Sequence, residues 1–314
     1  MRKIIVGYDG SPSSMASLTD LQYAGLGVDV DVTVLTVADV WLPPDDETTL
    51  DLLPEKSPPA VVAARQRAKE SLENSLVLTA EGAQRLRHLF PEWIVHTEGC
   101  TDSPAWALVK KAEDMHADLI VLGSHGRTAF QRALIGSVSQ TVAANAHCTV
   151  RIGRTIHADV TAPIRLMIGY DGSEHAENAV EEVAGRSWPA GTQARVVVAV
   201  DDVVATVLPW RIPGYITWST GAPPDESFQS ASDWVEMAAR KAAERLTAAG
   251  LAVEVTIQHG SPKDILVDEA SAWNADCIFV GARGLSRFER FMLGSVSNAI
   301  ATRAHCSVEV VRHK

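Results

Sequence analysis

Short apolar runs rich in Val, Ile and Leu recur along the chain, separated by stretches whose charged residues fall at helical spacing. The runs at 4–7, 30–37, 94–97, 119–123 and 149–152 read as strands, as do those at 166–169, 194–200, 252–258, 277–281 and 307–311. Segments 61–89 and 232–249 place Ala and Leu at helical intervals among charged residues. Strands alternating with helices imply βαβ units, right-handed crossovers and a parallel sheet covered on both faces. The pattern therefore predicts an α/β fold of two doubly wound domains, each built on a mainly parallel five-stranded sheet. The last strand of each half is short and carries a charge, Arg151 or Glu309, among β-branched residues. Such a strand suits a sheet edge, and an exposed edge tends to be covered or paired. The two halves are expected to pair through these edges as an intrachain pseudo-dimer.

The order of the elements repeats, and so do the residues between them. Ile4 to Ser11 (IIVGYDGS) recurs as Leu166 to Ser173 (LMIGYDGS), and Ile120 to Gly126 (IVLGSHG) matches Ile278 to Gly284 (IFVGARG). Gly-Ser-Val-Ser follows at Gly136 to Ser139 and at Gly294 to Ser297. Both halves then end on Ala-His-Cys-Thr/Ser-Val, at 146–150 and 304–308. Four blocks in one order mean a duplication. The expected domains are 1–154 and 163–314, with a polar linker at 155–162 that precedes Pro163. Two dissimilar insertions, at 42–59 and 202–229, follow the second strand of each half; loops of that length are uncommon unless functional or partly disordered.

Composition narrows the partners. Lys and Arg total 28 against 39 Asp and Glu, a formal net charge of −11. Such a chain repels nucleic acid and anionic lipid at long range, so neither is expected as a partner. A small anion remains compatible, because backbone N–H groups hold phosphate whatever the net charge. No run reaches the roughly 18–20 apolar residues that span a bilayer, and the first residues read without a signal peptide. Four cysteines without Cys-x-x-Cys spacing suggest reduced thiols and a cytoplasmic protein.

The repeated blocks fall at strand ends, where open α/β sheets bind ligands. The first strand of each half stops at Asp9 or Asp171. The fourth runs into Gly-x-x-Gly, Gly123 to Gly126 and Gly281 to Gly284. Glycine there lets the backbone turn and approach a ligand. Gly136-Ser137 and Gly294-Ser295 open the last helix, whose first N–H groups attract anions. Each piece also has a plain structural reading, as a turn or a helix cap. Their joint recurrence at fixed spacing favours a phosphate cradle, with the aspartate placed to accept from a ribose hydroxyl.

Gly-x2-Gly-x9-Gly-Ser, together with the strand–Asp-Gly-Ser opening and the Ala-His-Cys-x-Val close, resembles the ATP-binding signature of the universal stress protein family, over nearly the whole chain as a tandem member. The resemblance implies a Rossmann-like fold, binding of ATP, ADP or AMP, and dimer-type assembly through the final strands; the expected partners are the adenine nucleotide, the other half of the chain and, as a further option, a second chain in a homodimer. By position it implies Asp9 and Asp171 on the ribose and adenine side, and Val37 and Val200 at the second strand's end lining the adenine pocket. It assigns Gly123, Gly126, Gly136, Ser137, Val138 and Ser139 to phosphate and ribose in one site. Gly281, Gly284, Gly294, Ser295, Val296 and Ser297 are their counterparts in the other. His125 and Arg283, each preceding a second motif glycine, differ between the halves, so unequal sites are expected.

Arg127, Arg132, Arg287 and Arg290 lie in or beside the nine-residue loops and read equally as phosphate ligands or surface charge. His147 and His305 precede cysteines, but two ligands per half do not make a zinc site. Trp210 and Trp218 read as cover for an apolar face or as a binding lip. There is no Gly-x4-Gly-Lys-Ser/Thr, no Gly-x-Ser-x-Gly, no His-Glu-x-x-His and no kinase catalytic set. The expected function is a nucleotide-dependent regulator of the stress response. The alternatives are a slow Mg²⁺-dependent ATPase or phosphotransferase and a scaffold that only dimerises.

Overall fold

The computed structural model describes residues 1–39, 59–126, 135–154, 163–200, 231–284 and 293–312. Both long insertions, the linker, the four loop arginines, Trp210 and Trp218 lie outside the described residues. The first half runs β1 (Arg2–Gly7), α1 (Pro12–Asp20), β2 (Val30–Ala38), α2 (Pro59–Leu89), β3 (Ile94–Thr101), α3 (Pro104–Met115), β4 (Leu119–Gly123), α4 (Ser137–Asn145) and β5 (Thr149–Gly153). The second runs β6 (Arg165–Gly169), α5 (Glu174–Ala184), β7 (Gln193–Val200), α6 (Ala231–Ala248), β8 (Ala252–His259), α7 (Pro262–Trp273), β9 (Cys277–Gly281), α8 (Ser295–Arg303) and β10 (Ser307–Val311). All ten expected strands are present, and β4, β5, β9 and β10 are buried at every position.

They form one continuous ten-stranded sheet in the order β3-β2-β1-β4-β5-β10-β9-β6-β7-β8. Within each half all neighbours are parallel, and the strand order reverses between β1 and β4 and between β6 and β9. The doubly wound expectation holds twice. The halves meet where β5 and β10 pair antiparallel, Val308 against Ile152, Glu309 against Arg151 and Val310 against Val150. The expected edge pairing is thus a seam in the middle of the sheet, and the outer edges are β3 and β8.

One face of the sheet carries a core that crosses the seam. Leu108 and Val142 of the first half lie in one cluster with Leu266 and Ile300 of the second, together with the strand residues Val150, Ile152, Val308 and Val310. The other face carries two clusters, Leu18 and Leu86 under β1 and β2, and Val180 and Leu246 under β6 and β7, the second of which also takes in Tyr23 of the first half.

The charges that made the last strands look like solvent-facing edges are fully buried. Arg151 and Glu309 are both 0% exposed. Arg151 donates from Nε to Asp20 Oδ2 at 2.6 Å and from Nη1 to Glu309 Oε1 at 2.8 Å. Arg186 donates from Nη1 to the same Glu309 oxygen at 2.9 Å and pairs with Glu182, which also takes Arg2 at 2.7 Å. Burial opposes the charge on Arg151, but Asp20 and Glu309 outweigh it and hold the guanidinium pKa well above its ordinary value. Burial likewise pushes the Glu309 carboxyl up, while Arg186 and Arg151 pull it further down, to below the usual glutamate range.

Two further arginines lock the seam reciprocally. Arg154 reaches the carbonyl of Ala301 in the last turn of α8 and that of Cys306 just before β10. Arg312 donates to Ala143 O at 2.7 Å and Ala144 O at 3.3 Å at the end of α4. Each half thus caps the C-terminus of the other half's last helix, where a cation meets the negative end of the helix dipole. Burial lowers both guanidinium pKa values to about 10, so both stay charged at neutral pH.

Removing one member of a buried ion pair strands the other, which typically costs about 3–5 kcal/mol. Glu309→Leu is expected to lower the unfolding free energy by about that amount, read from urea melts. Because the folded-state pKa of Glu309 is depressed, its contribution is complete above the unfolded-state value of roughly 4.3. It is lost as pH falls through the lower folded-state value. Glu309→Gln should therefore flatten the acid limb of the stability–pH curve relative to the parent chain.

Candidate functional site

The site in each half is built at the reversal of strand order, from the ends of β1 and β4 in the first half and of β6 and β9 in the second. After β1 the chain turns at Gly10, whose φ of +74° suits glycine, and Gly172 does the same after β6 at +76°. Asp9 Oδ1 accepts from Ser11 N at 3.0 Å, and Ser11 Oγ accepts from Ser14 N at 3.1 Å, capping α1. Asp171 and Ser173 repeat this, with Ser173 Oγ taking Ala176 N at 3.2 Å. One carboxylate oxygen and the serine therefore serve the turn. The other oxygen of each aspartate faces the opposite loop. A Cβ on Gly126 would stand 3.1 Å from Asp9 Oδ2, and one on Gly284 only 2.5 Å from Asp171 Oδ2. These glycines keep open the space between the carboxylate and the loop.

The first glycine of each loop has a different task. A Cβ on Gly123 would lie 2.6 Å from the Ser13 carbonyl carbon, and one on Gly281 at 2.6 Å from the backbone of His175. Gly123 and Gly281 let α1 and α5 pack directly on the strand ends. Ser139 and Ser297, expected on phosphate or ribose, are buried and donate from Oγ to Gly123 O at 2.7 Å and to Gly281 O at 2.6 Å. They tie the first turn of α4 and α8 to the strand ends.

That first turn is open. Gly136 and Gly294 are the N-caps, with extended backbone and no side-chain cap on the helix. Ser137 and Ser295 are exposed, and Val138 and Val296 are partly buried. Gly136 N donates back to Ser124 O at 2.6 Å and Gly294 N to Ala282 O at 2.8 Å, which seats each helix start against its loop. A Cβ on Gly136 would press His125 Cα at 3.4 Å, and one on Gly294 would press Arg283 Cα at 3.3 Å. Aspartate, second glycine and uncapped helix start thus converge at one strand-end crevice per half.

The two loops are held differently. His125 donates its backbone N–H to Ser13 Oγ at 3.0 Å, its Nδ1 lies 2.9 Å from Ser124 Oγ, and its carbonyl accepts from Ser11 Oγ at 3.3 Å. In the second half the positions of Ser13 and Ser124 hold His175 and Ala282. Burial first, and then the charge of Arg283, lower the His175 pKa.

Val37 is partly buried two residues beyond Leu35, which pairs with the last residue of β1. In the second half Gly169 pairs with Val197, so the counterpart of Val37 is Ala199. Val200 is one residue further and packs against the core on the opposite face of the sheet, whereas Val37 packs against the seam-crossing core. Side chains alternate faces along a strand, so Ala199, and not Val200, shares the face of Val37 and holds its repeat position. His147 and His305 are exposed. Among the described residues no three His, Cys, Asp or Glu side chains are grouped to hold a metal ion.

Gly123→Ala and Gly281→Ala are expected to destabilise their half by about 1–3 kcal/mol through overpacking against the helix backbone. The difference should be read from thermal or urea unfolding without added ligand.

The model of the Universal stress protein family matches the chain twice, over residues 1–153 and 165–312. Universal stress protein Rv2005c of Mycobacterium tuberculosis is 27% identical over 316 residues, covering 98% of this chain and 96% of the relative. Universal stress protein MJ0531 of Methanocaldococcus jannaschii is 30% identical over 155 residues, covering 48% of this chain and 81% of the relative. The fold matches the crystal structure of a universal stress protein from Archaeoglobus fulgidus, with a TM-score of 0.64 and 22% identity over 99% of this chain and 98% of the other. The chain belongs to the universal stress protein family, as a tandem two-domain member.

Proposed function

We propose that the chain binds one adenine nucleotide in each half and works as a regulator whose conformation or assembly follows nucleotide occupancy. The observation that carries this reading is the convergence, twice, of an aspartate, a glycine whose Cβ would fill the gap beside it, and a helix start without a side-chain cap. The helix start supplies N–H donors and partial positive charge for phosphate. Asp9 and Asp171 supply an acceptor for a ribose hydroxyl, and Val37 and Ala199 an apolar strand end for the base. ATP, ADP and AMP share these groups. Mg²⁺ enters as an ion accompanying the phosphates, because the described residues offer no metal cage of their own.

His125 and Arg283 make the two sites unequal, and the fixed charge of Arg283 favours the more highly phosphorylated forms in the second site. No positioned base or phosphate-contacting lysine stands among the described residues of either site, which supports a binding role over rapid turnover. All four cysteines are free and three of them are buried, which supports a reducing, cytoplasmic setting. No helix among the described residues is long and apolar enough to cross a membrane.

Native mass spectrometry with added ATP tests the reading. The parent chain is expected to take up two nucleotides, Gly136→Val or Gly294→Val one, and the double variant none, with far-UV circular dichroism unchanged. Two nucleotides on the double variant, or none on the parent together with an unmoved melting temperature in excess ATP, would overturn it.

A further inference from the structure

The seam contains both symmetric and asymmetric devices, and they do different things. Arg154 and Arg312 occupy the same repeat position, since 312 − 154 = 158 and 281 − 123 = 158 for the motif glycines. Each caps the other half's last helix through backbone carbonyls. Carbonyls are present in either half, so this device would hold any two halves together. The flanking pairs Val308–Ile152 and Val310–Val150 are apolar and equally indifferent.

Arg151 and Glu309 also share a repeat position, 309 − 151 = 158, and they stand directly opposite one another. The pseudo-twofold axis therefore passes through this pair. Two first halves joined by the same register would face Arg151 with Arg151, and two second halves Glu309 with Glu309. Each charge would lose one of its two buried counter-charges and meet its own sign at 0% exposure. Like charges brought together without water are strongly disfavoured. Arg186 adds a second asymmetric element: its repeat counterpart is Ala24 (186 − 162 = 24), and Arg186 Nη1 donates to that residue's carbonyl at 2.7 Å.

We infer that the seam is a selective surface: β5 accepts an edge strand carrying an acid opposite Arg151, which is the second half's β10, and rejects a copy of itself. Edge pairing is kept, while self-pairing is removed by opposite charges at the one position that meets itself. A tether alone would also favour pairing within the chain, through effective concentration, so the linker has to be cut to see the selection.

The test uses the full-length chain carrying a protease site within 155–162, cut after folding. The cut protein is unfolded in urea, refolded, and its halves counted by native mass spectrometry, which separates the three pair masses. Random pairing would give about as many unlike as like pairs; selection by a buried charge pair is expected to favour unlike pairs at least about tenfold. In Arg151→Leu/Glu309→Leu, which removes the two self-meeting charges and leaves Asp20 with Ser307 and Arg186 with Glu182, the ratio should fall towards one. In Glu309→Arg every pairing faces two guanidinium groups, and the halves should separate. If the cut halves do not refold, exchange between isotope-labelled and unlabelled cut chains in native buffer reads the same ratio. Like pairs at the random level in the parent chain, or full selectivity kept by the double leucine variant, would overturn the inference.

Discussion

The ion pair between Arg151 and Glu309 is the constraint on which the architecture turns. Two doubly wound halves could sit in many arrangements, but one pair of opposite charges buried at 0% exposure has to be matched for the sheet to be continuous. Asp20 and Arg186 extend the match from the strands to the helical layers, and Ser307 adds a hydroxyl to Asp20 at 2.7 Å. A network of this kind contributes little net stability compared with a well-packed apolar layer. Its effect lies in register, since sliding β10 by one residue along β5 would take Arg151 and Glu309 away from each other, leaving each with only the counter-charge of its own half.

The strands were legible because a parallel strand buried on both faces is a nearly unbroken apolar run. β4 and β9 came out with their observed ends for that reason. β3 was legible only in part: the sequence suggests 94–97, but pairing with β2 extends it through Glu98, Gly99, Cys100 and Thr101, residues with little strand character. There tertiary pairing overrides local propensity. The charged last strands gave the right pairing for an incomplete reason, since their charges mark a partner 158 positions away, and no local pattern carries that distance.

At the site, Asp9, Asp171 and the glycines were legible through their repetition. What each glycine is for was not. Gly123 and Gly126 look alike in sequence, yet one admits the backbone of α1 and the other keeps clear of a carboxylate. That difference arises from how closely a helix approaches a strand end. Ala199 was passed over for Val200 by a single residue for a similar reason: the halves have different offsets on either side of the insertion, and only the register against β6 shows which of the two corresponds to Val37.

The last helix of each half joins the two themes. The N-terminus of α4 opens one of the proposed cradles and is fixed to its own strand by Ser139 on Gly123 O. Its C-terminus is held by Arg312 of the other half. α8 is held in the same way by Ser297 and Arg154. Both ends of each helix are held, one by its own half and one across the seam, so opening the seam removes a support from both helix starts at once. By reciprocity, a ligand that tightens the first turn of α4 or α8 stabilises the seam by whatever free energy the seam lends to binding. Each helix start is thus coupled to the seam through its own helix, although each crevice is built from the residues of one half.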